Sequence, residues 1–338
     1  MIVLAQAGVG YWGKNHFRVF SGLKDCRLKI CCDKKKEALE KIVKDDTCEV
    51  KVTTDFDDII KDKKIDAVVI TTPSETHSEL AIKALSSGKH VFVEKPLALN
   101  IADAEKMVKV AEKNKKILMV GHLLLYHPAV KLLKSYVENG SLGDLNYMYS
   151  TRVNLGQVKA EENALWSLTA HDISVAIYLV GKIPGEVSAT GKCYIRDSVQ
   201  DIVFVSLSFD NKTMAHIHAS WLDPHKVRQF TVVGSKKMIV FDDMAATEKI
   251  RIYDKGVDWQ RNESSYDAFL TLRQGDIHIP KIDMVEPLKV ECQNFIDSIK
   301  NKTTPAADGR NGLQVLRVLT AAQKSIDKNG EPVKIEKE

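Results

Sequence analysis

The chain has 338 residues, 44% hydrophobic and 28% charged, which is enough for one large core or two ordinary ones, and two domains are expected. Its 49 basic and 45 acidic residues are mixed along the chain and leave a net charge of +4, which excludes a nucleic-acid-binding tail and suits an anionic small molecule. No run approaches the roughly 18 apolar residues of a membrane span, and the start MIVLAQAGVG has neither a basic leader nor a small-residue cleavage site, so a cytoplasmic protein is expected.

The first 120 residues alternate between short apolar or β-rich runs (IVLAQA, RLKICC, AVVITT, HVFVEK, ILMVGH) and longer amphipathic stretches such as SELAIKALSSG and NIADAEKMVKVAEKN. That alternation predicts βαβ units and a doubly wound parallel sheet of the Rossmann type. Directly after the first run, AGVGYWGKNHF places Gly8, Gly10 and Gly13 in a GxGxxG turn that opens a helix, with Tyr11 and Trp12 inside it. Such a turn lets backbone approach a pyrophosphate held at the helix N-terminus. Asp33 ends the second run, where a carboxylate accepts hydrogen bonds from an adenosine ribose and repels a 2′-phosphate. It therefore favours NAD over NADP, a preference that Lys34, Lys35 and Lys36 soften.

Two further strand ends belong to the same sheet edge. TTPSETH brings Thr71, Pro73 and His77 to line the cofactor. FVEKPLAL brings Glu94 and Lys95, also expected at the cofactor, with Pro96 stopping the ladder and biasing Lys95 to an extended backbone. A charged pair at this place reads as a site, against the plainer reading of a solvated pair in a loop.

A short crossing near Gly121 to Pro128 divides a dinucleotide-binding domain, residues 1–121, from a second domain, residues 122–338. Tyr126 and His127 in that crossing are candidate substrate contacts. Beyond it, closely spaced β-rich runs from NYMYSTRVNL to KMIVFDD predict a large, mostly antiparallel open sheet in an α+β domain. The sheet carries Arg152 and Asn154 at polar positions that either contact substrate or face solvent. Helical patterns interrupt it at ENALWSLTAHDISVAIYLVG, which holds His171 and Asp172, and close the chain at EPLKVECQNFIDSIK and NGLQVLRVLTAAQKSI. His171 is either a site residue or a buried structural histidine. Apolar positions on both faces of the sheet (Val203, Val205 and Leu207 against Ile202 and Phe204) predict a homodimer or homotetramer.

Six cysteines, Cys26, Cys31, Cys32, Cys48, Cys193 and Cys292, show no CxxC and no metal-ligand spacing and read as reduced, mostly buried thiols. His216 and His218 alternate onto one strand face without a neighbouring Cys or carboxylate cluster, so no metal is expected.

GVGYWGKN, TTPSETH, VEKPLAL, GHLLLYHPAV and AHDIS, in this order and spacing, resemble the glucose-fructose oxidoreductase and inositol dehydrogenase (Gfo/Idh/MocA) family. The resemblance covers essentially the whole chain and implies an NAD(P)-dependent sugar oxidoreductase with a Rossmann domain followed by an α/β domain whose open sheet carries the subunit interface. Many polyol dehydrogenases of the family have an aspartate where this chain has Ser167 and an arginine where it has Leu125, and both departures weigh against an inositol or glucose substrate. YSTRVNLGQV, EENALWSLTAHDISV, SWLDPHKVRQFTVVGSKKM and GDIHIP look like the branch that oxidises C3 of nucleotide-linked N-acetyl sugars in surface-polysaccharide or glycan biosynthesis, the UDP-N-acetylglucosaminuronate 3-dehydrogenases. Ser167 then joins Lys95, Tyr126, Arg152, Asn154, His171 and Asp172 as a substrate contact, with Arg152 the preferred partner of a uronate carboxylate.

Oxidising a secondary alcohol requires hydride transfer to the nicotinamide and removal of the hydroxyl proton. His171 titrates in the useful range, with Asp172 or a backbone carbonyl fixing its tautomer, and is expected as the base. Lys95 is expected as the electrostatic group, and the reverse assignment stays open. The alternatives are a dehydrogenase of UDP-N-acetylglucosamine or of a free sugar or polyol and, from another class, a nucleotide-sensing protein that has lost its chemistry.

Overall fold

A computed structural model of the chain describes residues 1–45, 50–156, 162–209, 212–260 and 269–336. Cys48 and part of the YSTRVNLGQV and EENAL stretches, residues 157–161, lie outside them. The chain divides into two compact units, Met1–His127 with Val285–Leu316, and Pro128–Met284 with Arg317–Glu338. The return of residues 285–316 to the first unit differs from the expected simple split at residue 121.

The first unit runs β1 (Ile2–Ala7), α1 (Tyr11–Ser21), β2 (Cys26–Cys32), α2 (Lys36–Asp45), β3 (Lys51–Thr53), α3 (Asp57–Lys61), β4 (Ala67–Ile70), α4 (His77–Ser86), β5 (His90–Val93), α5 (Ile101–Lys113) and β6 (Leu118–Val120). Its six strands are ordered β3-β2-β1-β4-β5-β6 and pair in parallel throughout. Parallel strands covered on both faces need unbroken apolar runs, and Ala67, Val68, Val69, Ile70, Val91, Phe92 and Val93 are all fully buried. Strand order reverses between β1 and β4, so the carboxyl ends of those strands open onto the switch point where such sheets bind ligands. Helix α5 starts where the Asn100 side chain accepts the Asp103 N–H at 2.9 Å and donates to the Asp103 carboxylate at 2.8 Å, a reciprocal cap.

The second unit opens with α6 (Pro128–Glu138), β7 (Leu145–Val153) and α7 (Ala170–Val180), and continues through β8 (Glu186–Lys192), β9 (Ile202–Phe209), β10 (Thr213–Ser220), β11 (Val227–Gly234), β12 (Met238–Asp242), β13 (Ile250–Gln260) and β14 (Phe269–His278). After it, α8 (Pro287–Asn301) returns to the first unit. Helix α9 (Gly309–Asp327) runs from the first unit into the second, which β15 (Val333–Lys334) completes.

The nine strands are ordered β14-β13-β12-β11-β7-β10-β9-β8-β15, antiparallel except for the β7–β10 pair. Helices α6 and α7 pack against one face of this sheet. Along β9 the alternation resolves cleanly: Val203, Val205, Leu207 and Phe209 are buried, while Phe204 is 40% exposed on the other face. Tyr147, Tyr149 and Met214 share that open face. His216 and His218 lie there too, stacked on Phe204 with ring centroids at 6.2 and 4.5 Å. Among the described residues no group of three or more His, Cys, Asp or Glu side chains is arranged to hold a metal, and no helix is long and apolar enough to cross a membrane.

Candidate active site

The glycine turn is built by close approach. Gly8 has φ +90°, and a Cβ there would stand 2.6 Å from the Thr71 backbone; a Cβ on Gly13 would stand 2.4 Å from the Gly8 carbonyl. Gly10 is the opposite case, since a Cβ on it would meet nothing within 4 Å. The space beside Gly10 is open, and α1 begins there with no side-chain cap and no acidic residue in its first turn. Uncapped N–H groups beside an open cradle fit a pyrophosphate.

The turn is braced from behind by Gln6. Its buried amide donates to the carbonyls of Gly8 and Gly13 at 2.9 and 2.7 Å, and the Thr71 hydroxyl donates to Gly8 at 2.6 Å. Asp33 ends β2 half-buried, one carboxylate oxygen accepting the Val9 N–H at 2.8 Å and the other the Lys35 N–H at 2.9 Å. It thereby ties the end of β2 to the glycine turn. Tyr11, Trp12 and Pro73 are exposed around this mouth.

His77 differs from the expectation that it lines the cofactor. It is buried, with its ring nitrogens 2.8 Å from the Pro96 carbonyl and 3.0 Å from the Thr72 carbonyl. The imidazole ties together the loops that follow β4 and β5. Glu94 also turns inward, with its side chain only 15% exposed. One carboxylate oxygen accepts from His16 at 2.6 Å and the other accepts the Lys95 backbone N–H at 3.1 Å. Burial alone would raise the pKa of this carboxyl; the His16 hydrogen bond and the charges of His16 and Lys95 outweigh it and hold the pKa below the ordinary value.

Lys95 is half-buried at the end of β5. Within the field of Lys95, His122 is buried just past the end of β6, its Nδ1 2.8 Å from the Asn311 side-chain oxygen, and desolvation pulls its pKa down to about 4. Glu291 on α8 is also buried, and desolvation together with the field of Glu94 pushes its pKa well up. Tyr126, expected at the sugar, is buried, and its hydroxyl accepts the Ala307 N–H at 3.2 Å.

In the second unit the helix that carries His171 starts with a π turn over Leu165–Thr169, which holds Ser167 half-buried and leads into α7. His171 is half-buried in the first turn of α7, and its carbonyl accepts the Ser174 hydroxyl at 2.7 Å. Arg152, expected as a carboxylate partner, and Asp172, expected as a tautomer anchor, are joined to each other. The Arg152 guanidinium grips Asp172 with both arms, Nε to Oδ2 at 2.6 Å and an Nη to Oδ1 at 3.1 Å, and both side chains are buried. Burial would lower the Arg152 pKa, but the Asp172 charge and hydrogen bonds carry it above its usual value. Asn154 lies half-buried just past the end of β7, its N–H bonded to the Ser220 carbonyl at 3.1 Å.

Sequence reasoning missed Gln6, His16, His122, Glu291 and Asn311. The available signal was polar residues set inside apolar stripes, such as His16 beside Phe17 and Phe20.

A parallel sheet with strand order β3-β2-β1-β4-β5-β6 and an open glycine cradle at its switch point defines a dinucleotide-binding protein of the Rossmann class, here with a separate sheet unit. The chain belongs to the GFO_IDH_MocA oxidoreductase family: residues 3–122 match its NAD-binding Rossmann fold and residues 134–335 its C-terminal alpha/beta domain. It is an oxidoreductase, and its cofactor is NAD.

The chain is 28% identical over 331 residues to the myo-inositol 2-dehydrogenase of Thermotoga maritima, covering 95% of each chain. It is 23% identical over 310 residues to the UDP-N-acetylglucosamine 3-dehydrogenase of Acidithiobacillus ferrooxidans, covering 91% of this chain and 92% of that one. The solved structure of a levoglucosan dehydrogenase in complex with NADH and L-sorbose has the same fold, with a TM-score of 0.83 at 21% identity over 99% of both chains.

Proposed function

We propose that this enzyme oxidises a secondary hydroxyl of a sugar with NAD, and that the sugar is a UDP-linked N-acetyl hexose oxidised at C3. The observation that carries the reading is Lys95, which stands at the carboxyl end of β5 in the same sheet whose β1 leads into the glycine cradle. Gly8, Gly10, Gly13 and Asp33 hold the dinucleotide, and NAD supplies the hydride acceptor. Lys95 donates a hydrogen bond to the reacting oxygen and stabilises its alkoxide character. His171 takes the hydroxyl proton, since an imidazole nitrogen can act as a general base.

Ser167 and Leu125, at positions where polyol dehydrogenases of the family carry an aspartate and an arginine, support a nucleotide sugar over a polyol. Leu125 is buried, so the position offers no cation to a substrate. The Acidithiobacillus relative, a UDP-N-acetylglucosamine 3-dehydrogenase, supports the same class. Arg152 is already neutralised by Asp172, so the argument for a uronate carboxylate no longer rests on it, and the uronate and neutral forms compete on equal terms. A second reading, a polyol of the inositol type, is favoured by the higher identity to the Thermotoga relative.

Incubation of the protein and NAD separately with UDP-N-acetylglucosamine, its uronate and myo-inositol, followed by NADH absorbance and product mass, separates these readings. Reduction with either nucleotide sugar, giving a product lighter by two hydrogens, is expected. Reduction with myo-inositol alone would establish the second reading, and silence with all three would overturn both.

A further inference from the structure

The Glu94 carboxylate is gripped on two sides within the first unit. Its Oε1 accepts the Nε2–H of His16 at 2.6 Å and its Oε2 accepts the backbone N–H of Lys95 at 3.1 Å. Gly121 closes a third side so tightly that a Cβ there would stand 3.0 Å from a carboxylate oxygen. His16 is fully buried, its ring packed against those of Phe20 and Phe92 with centroids at 6.2 and 5.1 Å, and its Nδ1 lies 3.8 Å from Cys292 Sγ. A polar ring in such surroundings is costly unless its bonds are kept intact, so this geometry is stiff. His16 also stands three residues beyond Gly13, on the helix whose first turn faces the open cradle.

We propose that His16 and Glu94 are positioning residues for Lys95: the imidazole fixes the carboxylate, the carboxylate fixes the Lys95 backbone, and the helix that carries the glycine turn thereby sets where the lysine stands. The inference rests on the reading of Lys95 as a catalytic group and deepens it by naming what holds that group. The titratable groups around Glu94 are His16 on α1, Lys95 beside it, His122 just past the end of β6, and Glu291 and Cys292 on α8. Of these, His16 donates from its side chain to the carboxylate at 2.6 Å. Without it, burial raises the Glu94 pKa and the carboxylate that holds Lys95 is lost first at low pH.

The test compares His16→Phe, Glu94→Leu, His16→Gln and Lys95→Met with the parent. Amide hydrogen exchange over residues 92–99 is the first readout, calorimetric NAD binding the second, and turnover against pH on the sugar that the parent oxidises the third. In His16→Phe and Glu94→Leu the Lys95 amide should exchange about tenfold faster or more, because its acceptor is loosened or gone. Turnover should fall about 10- to 100-fold from misplacement of the lysine, with NAD affinity within about threefold of the parent. The loss in His16→Phe should shrink as pH rises, and His16→Gln, which keeps a donor, should recover most of the turnover. If His16→Phe does not fold, Glu94→Leu decides by the same criteria; if neither folds, Glu94→Gln decides, and its Lys95 amide must exchange faster than the parent's.

Parental exchange of the Lys95 amide in the deciding variant would overturn the proposal. Parental turnover there, alongside a large loss in Lys95→Met, would overturn the positioning role and leave the catalytic reading standing. Parental turnover in Lys95→Met would overturn the catalytic reading, while amide exchange would still report whether the two residues hold the strand end.

Discussion

Gly10 separates ligand binding from folding more sharply than its two neighbours. Its φ of −70° is open to any residue and a Cβ would touch no protein atom, so Gly10→Ala should melt at the parental temperature. The added methyl group would instead occupy the cradle, and NAD affinity measured by calorimetry should drop about tenfold or more, the effect of roughly 1.4 kcal/mol. Gly13→Ala meets the Gly8 carbonyl and should lose both stability and binding.

Glu291 offers a pH test. Its native pKa is raised by burial and by the nearby Glu94 charge, so above about pH 4.5 the native state keeps a proton that the unfolded chain releases. Native stability therefore falls as pH rises from there towards the native pKa. Glu291→Gln should remove that slope, becoming more stable than the parent by up to about 1.4 kcal/mol for each pH unit in the window, as read from denaturant midpoints. A parental slope in this variant would show that the carboxyl is ionised in the native state.

The glycines and Asp33 were legible because their spacing is local. His16, Gln6 and Glu291 were not, because their roles are fixed by residues far along the chain, as in the His16–Glu94 pair.

At the scale of elements, β7 and α7 are clamped by one buried ion pair. Removing one partner leaves an uncompensated charge, so Arg152→Met should cost about 3–5 kcal/mol in urea unfolding, and the double variant Arg152→Met/Asp172→Leu should recover much of that loss. A single variant as stable as the parent would mean that the clamp holds nothing. The other five parallel strands, β1, β2, β4, β5 and β6, were legible as apolar runs ending in turn residues. Strand β3 was not, being three residues long with two of them exposed, and β15 is only a two-residue edge. Strands β13 and β14 escaped because Lys255, Gly256, Arg273 and Gly275 break the alternation that marked β9 and β10. The helical pattern around Ser167 was legible, but its π turn depends on backbone pairing that no periodicity reports.

At the scale of the whole molecule, the two-part order of parallel sheet and then open sheet followed from the change in patterning near residue 145. The return of α8 to the first unit did not, since an amphipathic helix near the end of a chain carries no mark of the unit whose core it joins. The open sheet face carries Tyr147, Tyr149, Phe204 and Met214 at 43%, 41%, 40% and 50% exposure, the kind of exposed apolar grouping that marks an interaction surface. We expect a second copy of the chain to cover it. Sedimentation should report a dimer or tetramer at micromolar concentration, and Tyr149→Glu/Phe204→Glu should yield a folded species of lower mass; a monomeric parent would refute this.

The most direct test of the catalytic account is single-turnover NADH formation by the parent and by Lys95→Met on the oxidised sugar, with NAD binding measured in parallel. The account predicts a rate about 10²- to 10⁴-fold lower in Lys95→Met with nearly unchanged NAD affinity, because the glycine cradle holds the dinucleotide without this side chain. A Lys95→Met protein that forms NADH at the parental rate would contradict it.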